Sequence, residues 1–242
     1  MHNSLQVRNH KAINMPMVKF DRYALYYLPK ENTPLHHFGD KWLGWSLTET
    51  NNTSLTRNDA TEDWVRAPRK YGFHGTLKPP FKLSSENEFP KLFNAVNDLC
   101  RTIPPFMRPA LTLKNIGGFM AFTLSKPSNA MTSLACCLVS ELDSFRAPPT
   151  TDELARRRSV GLTERQEGYL MQWGYPYVMD EFIFHLTLTS RLDDIQAQQA
   201  SSQIAVACSH ACYHAGWVSA IGLVGEGGDG QFRLIARIPL SG

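Results

Sequence analysis

The chain has 242 residues, of which 43% are hydrophobic and 19% charged, with a formal net charge of +3 at pH 7. That is the composition of an ordinary globular protein, long enough to bury a sizeable core. The mildly basic balance does not by itself call for nucleic acid, and the lack of any run of eighteen apolar residues argues against a transmembrane helix.

Residues 1–18 are polar and contain no apolar stretch of the kind a secretory signal needs, so they are expected to form a loose tail. A single domain is expected over 19–242. The cysteines are Cys100, Cys136, Cys137, Cys208 and Cys212. An odd count without a signal peptide predicts reduced thiols and a cytoplasmic protein.

In chain order, RYALYYL at 22–28 reads as a strand rich in aromatics. A helix is predicted over about 33–45, with Leu35, Phe38, Trp42 and Leu43 at helical spacing. NNTSLTRND at 51–59 reads as a loop. YGFHGTLK at 71–78 reads as a strand ended by Pro79 and Pro80. The next helix has Ser85 as its expected N-cap and Glu88 at the capping-box position. Two strands are then predicted around Gly117-Gly118, followed by a helix over 129–146 and a break at Pro148-Pro149.

The second half follows the same order. Helical TDELARRRSVGLTERQEGYLMQWG leads to a strand, EFIFHLTLT, at 181–189. A helix from Asp193 to Cys212 and two strands around a Gly-rich turn complete it. Each half therefore carries an H-x-T strand, a helix and a hairpin. The interval from His74 to Phe119 is 45 residues and that from His185 to Phe232 is 47. One long repeat is the reading, with a pseudo-twofold that brings the two H-x-T strands together.

Strict alternation along the first strand puts His74, Thr76 and Lys78 on one face and Phe73, Gly75 and Leu77 on the other. In the second copy His185, Thr187, Thr189 and Arg191 share a face, opposite Phe184, Leu186 and Leu188. Each strand thus has an apolar face to anchor it and a chemical face to line a cleft. Two imidazoles facing one cleft can act as general base and general acid, since histidine titrates near neutral pH. Threonine hydroxyls can donate to phosphate oxygens. Lys78 and Arg191 could add positive charge where a transition state is anionic. Either histidine can take either role on this evidence. A lone strand histidine is usually just a hydrogen-bonded core or rim residue; two copies with the same facing and the same downstream order favour function.

With its two H-x-[ST]-x motifs, His74-Gly75-Thr76-Leu77 and His185-Leu186-Thr187-Leu188, the sequence resembles the 2H phosphoesterase superfamily. The stretches RYALYYLPKENTPLHHFGDKWLGW, RKYGFHGTLKPPF, ELARRRSVGLTERQE, WGYPYV and FHLTLTSRL resemble one branch of it, associated with phosphonate metabolism. The resemblance implies an α+β, bilobal fold: two pseudo-twofold-related lobes of antiparallel sheet, with helices outside and a central groove. It implies metal-independent phosphodiester chemistry on small cyclic phosphates. His74 and His185 would be the acid–base pair, Thr76 and Thr187 the phosphate ligands, and Tyr23, on a strand beside the groove, a substrate contact. No cofactor or metal is called for. The expected partner is a small phosphorylated substrate, a nucleotide or sugar cyclic phosphate, taken up by a monomer with no membrane contact. RNA ends are an alternative substrate, and a cyclic-phosphate binding module without turnover is the main rival.

Other residues have simpler readings. Arg156-Arg157-Arg158 could grip a phosphate, but a solvated helix face explains them more economically. Tyr26 and Tyr27 read as core, and Arg69 and Lys70 as surface. Cys208, His210, Cys212 and His214 pack four ligand types into seven residues, unlike the separated pairs of zinc sites. His36 and His37 sit in a helix. GEGGDG at 225–230 lacks the Lys-Ser/Thr of a phosphate loop and reads as a hairpin turn.

Overall fold

A computed structural model describes residues 19–48, 61–85 and 88–242. The expected tail at 1–18 and the expected loop at 51–59 lie outside the described residues.

The strands are β1 (Arg22–Tyr27), β2 (Gly75–Phe81), β3 (Phe106–Arg108), β4 (Leu111–Ile116), β5 (Phe119–Leu124), β6 (His185–Thr187), β7 (Gly216–Val218), β8 (Ala220–Glu226) and β9 (Phe232–Pro239). The α-helices are α1 (Pro34–Leu43), α2 (Glu62–Arg69), α3 (Phe89–Arg101), α4 (Asn129–Glu141), α5 (Thr151–Arg158), α6 (Glu164–Trp173) and α7 (Asp194–Ala207). Seven strands form one antiparallel sheet in the order β4-β5-β6-β2-β1-β8-β9, while β3 and β7 pair separately. The fold is α+β, as expected. The two sequence halves interleave: β6, from the second half, lies between β5 and β2 of the first.

Alternation on β1 shows how the sheet is clothed. Tyr23, Leu25 and Tyr27 enter the main core with Phe122, Leu186 and Leu223 and the helix residues Leu35, Phe38, Leu92 and Leu138. Ala24 and Tyr26 enter a smaller cluster on the opposite face with Leu47, Val224 and Phe232. Burying each large apolar side chain contributes about 1.5–3 kcal/mol, so the helix-covered face fixes which way every strand turns. The opposite face of β5, β6 and β2 is left to the polar motif residues and is called the open face below.

Several local expectations are corrected. β2 begins after His74 and runs through Pro79 and Pro80 to Phe81. Pairing of β2 to β6 is recorded only at Gly75↔Leu186. Beyond it that edge of β2 needs no amide donors, so proline is tolerated there. Helix α3 has Glu88, not Ser85, at its N-cap, with no side-chain cap; Ser85 accepts the Glu88 amide through its backbone carbonyl instead. The helix predicted over 129–146 ends at Glu141 and gives way to a 3₁₀ turn at Asp143–Phe145. The long helical stretch after Thr150 is two helices, each opened by a full capping box, with Gly161 at φ +74° between them. The last helix stops at Ala207, and His210–Tyr213 is a 3₁₀ turn.

Candidate active site

The strand β6 pairs with β2 at Gly75↔Leu186 and with β5 at Ala121↔Thr187, Phe122↔Leu186 and Thr123↔His185. Continuing the antiparallel register by one residue each way sets His74 beside Thr187 and Thr76 beside His185. The two motifs are therefore related by a local twofold through the Gly75/Leu186 pair. Side chains directly opposite share a face, so all four motif residues lie together on the open face. Gly75 permits this approach: a Cβ there would lie 2.7 Å from the Phe184 ring.

Both imidazoles are held in the same way. Nδ1 of His74 lies 2.8 Å from the Gly72 carbonyl, and Nδ1 of His185 lies 2.7 Å from the Ile183 carbonyl, each two residues upstream. A carbonyl only accepts, so Nδ1 carries the proton and Nε2 of a neutral ring presents its lone pair. For His74 that lone pair accepts from the Thr76 hydroxyl at 2.9 Å. Gly72 adopts φ +69°, a left-handed turn that aims its carbonyl at the ring. The Tyr26 ring stacks on His74 with centroids 3.7 Å apart, and Phe119 lies 5.8 Å from His185.

Burial drives the His74 pKa down to about 4, against the pull of the Gly72 carbonyl and with help from the nearby His185 charge. Burial also lowers His185, opposed by the Ile183 carbonyl. Without ligand both rings are thus neutral at pH 7.

The remaining expected site residues lie elsewhere. Leu25 pairs with Lys78 and Tyr26 with Thr76, leaving Leu77 unmatched: β2 carries a bulge directly after its motif. The bulge turns Lys78 into the helix side, where it is 2% exposed. Its Nζ donates to the Val139 carbonyl at 3.0 Å and lies 3.8 Å from Asp143. Burial lowers its pKa to about 8. A matching irregularity follows the second motif. The amides of Leu188 and Thr189 both donate to the Met120 carbonyl, and the Thr189 hydroxyl accepts from the Met120 amide. Thr189 is thereby buried, and β6 ends at Thr187. Arg191 falls past the strand, exposed, with its stem against Gly118 of the β4–β5 turn. Tyr23 is 7% exposed in the main core, stacked on Phe89.

Two hydroxyls on the open face escaped the sequence reading. Tyr26 is fully buried and its hydroxyl has no hydrogen-bond partner. Thr123 is directly opposite His185 and its buried hydroxyl also lacks a partner. The signal available was the alternation of β1, which puts Tyr26 on the face opposite Tyr23 and Tyr27. The cysteine–histidine stretch splits apart: Cys208 and Cys212 are buried, while His210 and His214 are exposed with ring nitrogens 3.4 Å apart. Among the described residues no group of three or more His, Cys, Asp or Glu side chains could hold a metal ion, and no helix is long and apolar enough to cross a membrane.

Fold and site together define an α+β protein whose central sheet presents two H-x-T strands on one open face. Residues 76–233 match the family described as "Protein of unknown function (DUF1045)", and the chain belongs to that family. Two curated relatives carry the name "Ribose 1,5-bisphosphate phosphokinase PhnN". The one from Janthinobacterium sp. (strain Marseille) is 33% identical over 180 residues, covering 71% of this chain and 39% of that protein. The one from Laribacter hongkongensis (strain HLHK9) is 30% identical over 178 residues, covering 72% of this chain and 41% of that protein. The chain thus spans about two fifths of the length of these relatives. Among solved structures, a phosphoesterase aligns with TM-score 0.46 and 12% identity over 92% of this chain and 99% of that one. E. coli LigT complexed with 3′-AMP aligns with TM-score 0.45 and 14% identity over 93% of this chain and 100% of that one.

Proposed function

We propose that this chain is a phosphodiesterase that opens a small cyclic phosphate ester by general acid–base catalysis between His74 and His185, without a metal. The observation that carries the reading is the Gly75↔Leu186 register, which sets the two motifs side by side on one half-buried face of the sheet. The matching Nδ1 contacts, to Gly72 and to Ile183, support it by turning both Nε2 atoms to the same task.

We take His74, the more strongly depressed ring, as the base, its Nε2 lone pair being freed when the Thr76 hydroxyl turns from it to the phosphate. Its Nε2 takes a proton from water as the water oxygen bonds to phosphorus. The ring bond from phosphorus to the ester oxygen breaks, and His185, protonated in the complex with the anionic substrate, gives its proton to the departing alkoxide. The product is a phosphomonoester bearing a free hydroxyl. Thr76 and Thr187 donate to the non-bridging oxygens, and the two roles exchange in the reverse direction. Each acid–base partner is typically worth about 10²–10⁴ in rate. A ribose cyclic phosphate is the favoured substrate, because the relatives matched over most of this chain are named for a ribose bisphosphate. The kinase in that name belongs to proteins of which this chain spans only about two fifths and is not carried over.

Purified protein in EDTA, offered ribose and nucleoside cyclic phosphates, tests the reading. Turnover should fall at least about 10²-fold in His74→Ala and in His185→Ala. Full activity in both variants would refute it. Tight binding with no turnover by the unsubstituted chain would favour a binding module.

A further inference from the structure

The two histidines have unlike neighbours on their outer sides. Beyond His74, towards β1, the face is filled. The Tyr26 ring stacks on His74, and Tyr26 and Leu28 pack with Leu47, Val224 and Phe232. Continuing the Tyr27↔Gly75 register by one residue sets Leu28 directly beside His74. Beyond His185, towards β5, the side chains are short. Ala121 stands directly opposite Thr187 and Thr123 directly opposite His185. Both are buried at the base of this part of the face. The Phe119 ring, on the same face of β5, flanks them and lies 5.8 Å from the His185 ring.

Thr123 is 6% exposed and its hydroxyl has no hydrogen-bond partner. A buried hydroxyl left in that state calls for a group that is missing from the free protein. Its position says which group. Cross-strand partners hold their Cβ atoms about 4.5–5.5 Å apart, so Thr123 and Thr76 flank His185 on its two sides, from β5 and from β2. Thr76 is the side of the phosphate. Thr123 is the side away from it, where the rest of a substrate continues past the oxygen that His185 serves.

We infer that Thr123 is a specificity-determining residue: its hydroxyl binds a substrate oxygen on the carbon next to the departing ester oxygen, so that the organic part of the substrate extends from His185 onto β5. This rests on the proposed roles of His74 and His185. In displacement at phosphorus the attacking and leaving oxygens are roughly in line. Water at His74 therefore puts the leaving oxygen at His185, and what that oxygen is attached to lies further along the same line, from β2 across β6 to β5. The opposite assignment would drive the organic part into Tyr26 and Leu28. In the step itself the water oxygen bonds to phosphorus as its proton passes to Nε2 of His74. The bond from phosphorus to the ester oxygen breaks, and Nε2 of His185 gives its proton to that oxygen while Thr123 holds the neighbouring one. The substrate class is a vicinal cyclic phosphate of a sugar or polyol with a further oxygen beside the ester, and the ester oxygen nearer to it is the one released.

Two esters that differ by one hydroxyl provide the test: glycerol 1,2-cyclic phosphate, which carries the further oxygen, and propane-1,2-diol cyclic phosphate, which lacks it. Each is offered in EDTA to the unsubstituted chain, to Thr123→Val and to Thr123→Ser, and phosphorus NMR reads the products. Release of the ester oxygen beside the free hydroxyl gives glycerol 1-phosphate; release of the other gives glycerol 2-phosphate. The unsubstituted chain should form the 1-phosphate about tenfold in excess and favour the glycerol ester about tenfold in kcat/KM, the factor for one hydrogen bond. Thr123→Val, of the same shape, should bring both ratios towards one without lowering Tm, and Thr123→Ser should keep them. Equal kcat/KM for the two esters, an excess of the 2-phosphate, or ratios that survive Thr123→Val would overturn the role of Thr123 while leaving the histidine reading intact. Turnover of neither ester by a chain that opens nucleoside cyclic phosphates would overturn the substrate class, and no turnover of any cyclic phosphate would overturn the histidine reading with it.

Discussion

Gly75 and Leu186 are cross-strand partners, and the local twofold that relates the two H-x-T motifs passes between them. Each motif contributes a histidine on one side of that pair and a threonine on the other, so neither strand alone makes the site. The chemistry depends on how closely β2 approaches β6. Gly75→Val tests this. Its Cβ would meet the edge of the Phe184 ring, itself 5% exposed and hemmed in by the core. Overpacking of this kind costs about 1–3 kcal/mol. A lowered Tm together with a fall in kcat larger than that of a core substitution remote from β6 is the expected result. A drop in Tm with full kcat would mean that the approach of the strands is structural only.

Acid titration should expose the neutral state of His74. Its folded pKa is about 4 and its ordinary value 6.5, so between these pH values the unfolded chain binds a proton that the folded chain does not. Stability therefore falls as pH drops from 6.5 towards 4, by the order of 1–3 kcal/mol, and then levels for this group. His185, also depressed, adds to the same slope. Denaturant midpoints measured across pH 4–7 should show the slope, and His74→Phe should remove the larger part of it.

The same depression shapes catalysis and binding. For the free protein, kcat/KM should follow a bell whose acid limb reports the base, His74, near pH 4, and whose alkaline limb reports His185 below its ordinary 6.5. An anionic ligand raises both values, so binding near pH 6 takes up protons. Calorimetric titration with inorganic phosphate in buffers of differing ionisation enthalpy should give an uptake that disappears in the double histidine variant. Proton release would contradict the placement of the rings beside the bound anion.

Much of this architecture was legible in the residues. Alternation in YGFHGTLK and FIFHLTLT correctly placed His74, Thr76, His185 and Thr187 together, because an apolar run on the other face leaves a strand no choice of which side to bury. Alternation failed at one offset, and it failed twice. Lys78 and Thr189 each stand four residues after their histidine, and both are buried behind bulges at Leu77 and at Leu188–Thr189. A bulge is set by the register of a neighbouring strand, which the local pattern does not encode. Tyr26 is buried, as read, but its face was not distinguished from that of its neighbours. Three tyrosines on one strand look alike until its partners show that Tyr26 shares the face of Thr76.

Lys78 offers a check on that correction. Facing the core, it should take no part in turnover, and Lys78→Met should leave kcat within about twofold of the unsubstituted chain. Asp143 would keep its pair with Arg146 at 2.7 Å, so no carboxylate is stranded. Replacing a buried charge with an apolar side chain of similar size is often neutral or stabilising by about 1–4 kcal/mol. A loss of kcat with the fold intact would return Lys78 to the groove.

Tyr26→Phe separates stability from function at a single atom. The hydroxyl is buried without a partner when no ligand is bound, and an unsatisfied group of that kind costs about 1–3 kcal/mol. Its removal keeps the ring stacked on His74 and should raise Tm or leave it unchanged. If the hydroxyl donates to a substrate oxygen, the same change should weaken binding of the cyclic ester about tenfold, since one hydrogen bond of this strength corresponds to roughly that factor. Thr123→Val, beside His185, should behave alike. A fall in Tm in both variants would show that these hydroxyls are already satisfied by water in the free protein, and unchanged affinity would remove them from the substrate's path.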